Sequence, residues 1–130
     1  MTWEYSEDNL IEKAAIDLFF NQLGWDTAIA FNKESFGERS TLGRLNKKEV
    51  ILRRILFEKL RELNPGLPEP AYQQAYDKLS VESVTKSLEE INYEKYLYLR
   101  EGIPVDFVND KGEQVKNKLL AVFDFVNCKA

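Results

Sequence analysis

Apolar residues recur at three- and four-residue intervals over residues 7–23, which predicts an amphipathic helix at the start of the chain. Its apolar face comprises Leu10, Ile11, Ala14, Ala15, Leu18, Phe19 and Leu23. Ser6 is a suitable N-cap, and Gly24 ends the helix because glycine readily adopts the conformation that follows a helix C-terminus. The next segment, residues 25–31, predicts a strand.

A second helix is predicted over residues 47–63, with Asn46 as its N-cap and Glu49 completing a capping box. Its inward positions are Ile51, Leu52, Ile55, Leu56, the stem of Lys59, Leu60 and Leu63. After a proline-rich break at residues 64–70, a third helix has an apolar face formed by Ala71, Tyr72, Ala75, Tyr76 and Leu79. A fourth helix is predicted over residues 88–100 and ends at Gly102.

The pattern changes to strand-like alternation at residues 103–108, followed by a tight turn at residues 109–112. Residues 113–126 predict a long second strand, and the continuous apolar stretch 119–126 is typical of a strand covered on both faces. The sequence therefore predicts one α/β domain over residues 1–130, with α+β as the alternative class. Its order is a first helix and strand, inserted helices, and a β-hairpin.

Composition excludes several kinds of chemistry. The chain has no histidine, which removes Ser–His and Cys–His nucleophile systems and histidine-ligated zinc. Its single cysteine, Cys128, cannot form a disulfide within the chain. No apolar run has the length of a membrane span and the N-terminus has no signal-peptide pattern, so we expect a cytoplasmic protein without membrane contact.

Charge is unevenly distributed along the chain. Residues 1–38 carry a net charge of −6, residues 39–61 carry +6, and residues 62–130 carry −4. Within the basic block, Lys47, Arg54 and Arg61 are spaced seven apart, and Arg39, Arg44, Lys48 and Arg53 lie close by in sequence. This stripe is typical of a solvated helix face, and the alternative is a surface that follows nucleic-acid phosphates.

Several stretches, in the same order along nearly the whole chain, resemble the N-terminal domain of the R subunit (HsdR) of type I restriction enzymes. They are Leu10-Ile11-Glu12-Lys13-Ala14-Ala15-Ile16, Leu23-Gly24-Trp25, Arg39-Ser40, Glu49-Val50-Ile51-Leu52, Leu63-Asn64-Pro65-Gly66-Leu67-Pro68, Asn92, Leu99-Arg100-Glu101-Gly102-Ile103-Pro104-Val105, Gly112 and Asp124-Phe125-Val126-Asn127. No one stretch is diagnostic, and the ordered set carries the resemblance.

The resemblance implies a PD-(D/E)xK-type nuclease region of a type I site-specific deoxyribonuclease, whose partners are DNA and the methylation and specificity subunits. In that family an acidic residue on the first helix often joins the magnesium site, which makes Glu12 a candidate catalytic and metal-binding residue. Without the resemblance, Glu12 is a solvated carboxylate beside Lys13. The candidate DNA-binding residues are Arg39, Arg44, Lys47, Arg54 and Arg61.

One departure from the family limits the expected activity. The catalytic aspartate and the Glu-x-Lys motif of the family follow the region equivalent to residues 124–127, and the chain contains no Glu-x-Lys. The phosphate-binding loop of an ATP-driven motor is also absent, so ATP would be bound by other domains. We therefore expect an N-terminal fragment that is inactive alone, with Asp124 bonded to backbone or to a basic residue.

The sequence leaves two alternative functions open. The first is a non-catalytic protein-interaction module of a restriction complex, and the second is a nucleic-acid binder that uses residues 39–61. The apolar stretch 119–126 also predicts a homo-oligomer formed through the final strand.

Overall fold

The computed structural model describes residues 8–30 and 34–126. It begins with a helical segment in three parts: a wide π-type turn at Asp8–Glu12, helix α1 at Lys13–Asp17 and a second π-type turn at Leu18–Gln22. Helices α2 (Arg53–Leu63), α3 (Glu69–Ser80) and α4 (Leu88–Glu101) follow. The antiparallel strands β1 (Ile103–Val108) and β2 (Gln114–Leu120) complete the described order, which confirms a mixed α/β class.

The N-terminal helical segment, residues 8–22, confirms the predicted helix where the structure describes it, while Ser6 and Glu7 lie outside the described residues. Its packing differs from the prediction, because the apolar side chains from Leu10 to Leu23 are exposed or half-buried. The strand predicted after it is also wrong for the described residues 25–30, which form no strand. Without a partner strand to complete its hydrogen bonds, an isolated strand gains little stability.

Helix α2 begins six residues later than the predicted residue 47 because its expected capping groups build a separate turn. The Asn46 side-chain oxygen accepts from the Lys48 N–H at 2.8 Å, and the Glu49 carboxylate accepts from the Leu45 N–H at 2.8 Å. Such side-chain bonds to nearby backbone compete with helix formation. The predicted capping box at Asn46 and Glu49 is therefore wrong, because their side chains bond Lys48 and Leu45 and form a turn before the helix.

The core lies where α2 and α3 pack against one end of the hairpin. Its buried residues are Phe57 and Leu60 from α2, Ala71, Tyr72, Ala75 and Leu79 from α3, Ile103 and Val105 from β1, and Leu120 from β2. The predicted face of α3 is confirmed, with Tyr76 partly buried beside it. The buried face of α2 differs from the predicted one. Phe57, which was not predicted inward, is buried, while Ile55 and Lys59 are exposed.

The hairpin pairs Ile103 with Leu120 and Val108 with Gln114, and a bulge interrupts the register between Val105 and Phe107. The second strand ends at Leu120 instead of continuing to residue 126. Leu120 is also the one buried residue of β2, so the prediction of a strand covered on both faces is wrong. In the described part of the chain the sheet has two strands.

The end of β2 is fixed by a side chain that is distant in sequence. The Asn64 amide donates to the Ala121 carbonyl at 2.9 Å, and its oxygen accepts from the Ala121 N–H at 2.8 Å. Asn64 therefore takes both backbone groups that a further strand pairing would use. Among the described helices, none is both long and apolar enough to cross a membrane.

Candidate functional site

A cleft of about 400 Å³ beside α2 brings together three of the five basic residues predicted to contact DNA. We call it the arginine cleft, and its lining residues are Glu38, Arg39, Gly43, Arg53, Arg54, Phe57, Arg61, Glu69 and Gln73. Arg39, Arg54 and Arg61 were candidate DNA-binding residues, whereas Arg53 was noted only as a basic residue close to them in sequence. The four arginines and two glutamates give the lining a formal charge of +2.

Arg54 fixes the loop that forms one wall of the cleft. Its guanidinium donates to the backbone carbonyls of Glu38 at 3.3 Å, Ser40 at 3.1 Å and Thr41 at 3.5 Å. Gly43 permits this close approach, since a Cβ at this position would lie 3.2 Å from the Arg54 Cβ and its φ is +71°. Arg54 is therefore committed to backbone, and the loop that it holds presents Arg39.

Arg53 and Arg61 are held by aromatic rings. The Arg53 guanidinium carbon lies 5.4 Å from the Phe57 ring centroid and 5.2 Å from that of Tyr76. The Arg61 carbon lies 5.4 Å from the Phe57 centroid and 5.8 Å from that of Tyr72. Cation–π attraction at these distances restrains the two guanidinium groups without using their N–H donors.

The N–H donors of Arg61 and Arg53 form hydrogen bonds with two side chains of α3. Arg61 donates through Nη2 to one Glu69 oxygen and through Nε to the other, the second contact being 3.4 Å long. This hydrogen bond to Glu69 raises the pKa of Arg61 above its ordinary value, so the side chain remains charged. Arg53 donates through Nη2 to the Gln73 side-chain oxygen at 3.4 Å.

The other two predicted basic residues lie outside the cleft. Arg44 forms a two-point contact with Glu34, with nitrogen–oxygen distances of 2.7 and 2.5 Å, and also donates to the Glu49 carbonyl at 3.1 Å. The Arg44 hydrogen bond holds the pKa of Glu34 below its usual value. Lys47 is exposed and precedes the helix, so the predicted stripe with Arg54 and Arg61 does not form on one helix.

Glu12 lies at the end of the first π-type turn and is exposed. Within residues 8–30 and 34–126, no group of three acidic, cysteine or histidine residues is placed to hold a metal ion. Glu12 therefore belongs to no such group in this part of the chain. The metal-binding role of Glu12 therefore stays a prediction.

Asp124 accepts a hydrogen bond from the Val126 N–H at 3.1 Å, which confirms the expected bond to backbone.

Arg53, Glu69 and Gln73 were not among the candidate DNA-binding residues selected from the sequence. Arg53 had a local signal, because it precedes Phe57 by four residues and therefore lies on the same helix face. Glu69 and Gln73 had none, since they reach the cleft from α3, across the proline-rich break.

A family model described as the type I restriction enzyme R protein N terminus matches residues 4–130. No match was found among curated proteins or among solved structures.

Proposed function

Because the chain belongs to the family of type I restriction enzyme R protein N termini, we propose that it contributes to ATP-dependent, magnesium-dependent DNA cleavage in the intact complex. The family match over residues 4–130 is the observation that carries this proposal. Membership of the family indicates a component of a type I restriction system. Cleavage itself, and its dependence on magnesium and ATP, are parts of the proposal.

In this proposal the isolated chain is not a nuclease. Glu12 contributes one magnesium ligand in this proposal, and the other ligands come from elsewhere in the subunit, because the described residues gather no group of three acidic, cysteine or histidine side chains. When bound, magnesium activates water and offsets phosphate charge in nucleases. ATP would be bound by motor domains, and the DNA sequence would be read by the specificity subunit.

The chain's own contribution is contact with the DNA backbone through the arginine cleft. Arg39, Arg53 and Arg61 line the cleft, and the last two are restrained by aromatic rings, which lowers the entropy lost on binding. Guanidinium groups suit phosphate because their N–H donors match its oxygens in pairs. Such contacts position DNA without reading its sequence.

The first test separates cleavage by the chain from cleavage by the complex. The chain, mixed with plasmid DNA and magnesium, should leave the plasmid intact, and cutting that disappears in Glu12→Ala would overturn the proposed inactivity. In the assembled complex, Glu12→Ala should lower cleavage while ATP hydrolysis is unchanged. Glu58→Ala, at an exposed position of α2, is the matched control and should cleave normally. Normal cleavage by Glu12→Ala would remove Glu12 from the proposal.

A second candidate function, a non-catalytic interaction module, is favoured by the exposed apolar side chains of the N-terminal helical segment and the residues after it. They are Leu10, Ile11, Leu18, Phe19, Phe20, Leu23, Trp25 and Ile29. Phe123, Phe125 and Val126 are also exposed beyond β2, where the sequence predicted a homo-oligomer.

Light scattering after size exclusion tests this alternative. A dimer that dissociates in Phe20→Glu would assign the interface to the N-terminal segment. One that dissociates in Phe125→Glu would assign it to the end of the chain. A monomer that binds no other subunit of the complex would argue against an interaction module.

A further inference from the structure

The contact between Arg61 and Glu69 resembles the way a guanidinium binds an oxyanion ligand. Two nitrogens of Arg61, Nε and Nη2, face the two oxygens of the Glu69 carboxylate inside the arginine cleft. The same edge of the guanidinium binds phosphate in paired hydrogen bonds. The Glu69 carboxylate therefore stands where a phosphate oxygen pair would bind.

The pair is weak enough to be exchanged. The Arg61 and Glu69 side chains are 48% and 63% exposed, and ion pairs at such exposure are screened by water. Arg61 has contacts besides Glu69, since its guanidinium carbon lies 5.4 Å from the Phe57 ring centroid and 5.8 Å from that of Tyr72. After release from Arg61, the negative charge of Glu69 would still be stabilised, because Glu69 lies in the first turn of α3, at the positive end of the helix dipole.

The surroundings favour a phosphate over the carboxylate. Arg53 lies on the same helix face two turns before Arg61, and the loop held by Arg54 adds Arg39. Without the Glu69 charge, the formal charge of the cleft lining rises from +2 to +3. A DNA backbone carries negatively charged phosphodiesters along a continuous strand, and a cleft that is open to solvent can admit such a strand.

We propose that Arg61, Arg53 and Arg39 form a DNA-phosphate subsite that Glu69 occupies in the free protein and that bound DNA takes over by displacing Glu69. This inference rests on the proposed DNA contact. It adds that Glu69 is an internal competitor, which keeps the affinity of the cleft for DNA below what its arginines allow.

The test is Glu69→Gln, which keeps the size of the side chain and removes its charge. Duplex DNA binding, measured by fluorescence anisotropy, should be about two- to fivefold tighter, because an exposed ion pair that competes with the phosphate is worth up to about 1 kcal/mol. The control is Glu62→Gln, because Glu62 pairs with Lys59 outside the cleft at similar exposure. Glu62→Gln changes the net charge equally and should tighten binding less than twofold.

Arg61→Gln distinguishes displacement from general repulsion. It should weaken DNA binding, and adding Glu69→Gln to it should restore nothing, because the competitor and the phosphate share Arg61. An equal gain from Glu69→Gln and Glu62→Gln, or a gain that persists without Arg61, would refute the inference. If Arg53→Gln and Arg61→Gln weaken binding while Glu69→Gln has no effect, the DNA contact stands and only the inference fails. If no variant binds DNA, both fail.

Discussion

Asn64→Ala should strongly destabilise the protein, because this one side chain joins α2 to the end of the hairpin. The substitution removes amide hydrogen bonds to the Leu60 carbonyl at 3.0 Å and the Ala121 carbonyl at 2.9 Å. It also removes the acceptor for the Ala121 N–H, 2.8 Å away. Each net hydrogen bond contributes about 0.5–1.5 kcal/mol, and partly buried backbone groups left unpaired add to the loss. We expect the free energy of unfolding to fall by roughly 2–4 kcal/mol.

Urea unfolding followed by circular dichroism measures this loss. With a slope of about 1–3 kcal/mol per molar urea, the midpoint should fall by on the order of 1–2 M. Asn64→Asp should lie between the wild type and Asn64→Ala, because it retains the acceptor for the Ala121 N–H but loses both donors. Asn92→Ala, at an exposed position of α4, is the control for the same chemical change. A midpoint for Asn64→Ala equal to that of Asn92→Ala would show that the Asn64 side-chain hydrogen bonds contribute nothing to stability.

Three further predictions concern α4 and its junction with β1. Ser87→Ala removes the capping-box acceptor of α4 and should reduce stability by about 1 kcal/mol, seen as faster amide hydrogen exchange in its first turn; unchanged exchange would contradict this. Gly102→Ala should lower the thermal midpoint more, because φ is +106° and the new Cβ would lie 3.0 Å from the Leu120 carbonyl oxygen; an unchanged midpoint would refute the strain. Burial, and then the hydrogen bond to Glu94, raises the pKa of Tyr98 to about 12. Stability from Tyr98 should therefore be complete below about pH 10 and be lost as pH rises towards 12, and Tyr98→Phe should remove this dependence in unfolding titrations.

Elements whose signals are local were predicted well. Helix α3 has a proline in its first turn and a continuous apolar face, and α4 begins at the Ser87 cap and ends at Gly102. The hairpin turn follows from Gly112, whose φ of +80° suits a residue without a side chain. In each case the groups that decide the backbone conformation lie within a few residues of one another.

Elements whose limits depend on distant partners were predicted poorly. The apolar run after Leu120 has strand-like composition, yet β2 ends because Asn64 bonds the backbone of Ala121. The buried face of α2 turns towards Phe57 because Tyr76 of α3 stacks on that ring, with 5.1 Å between the centroids. Neither contact has a signature in the local sequence.

The candidate site likewise has features that the sequence predicted and features that depend on distant partners. The sequence by itself determined that residues 39–61 are basic, that histidine chemistry is excluded and that the chain resembles its family. Only the tertiary structure decided which basic side chains meet: Arg44 is bound by Glu34, while Arg61 reaches a cleft beside Glu69. Charge and helical period are properties of the chain, whereas pairing between charges depends on which elements pack together. That packing is fixed by the burial of α2 and α3 against the hairpin, which no single segment specifies.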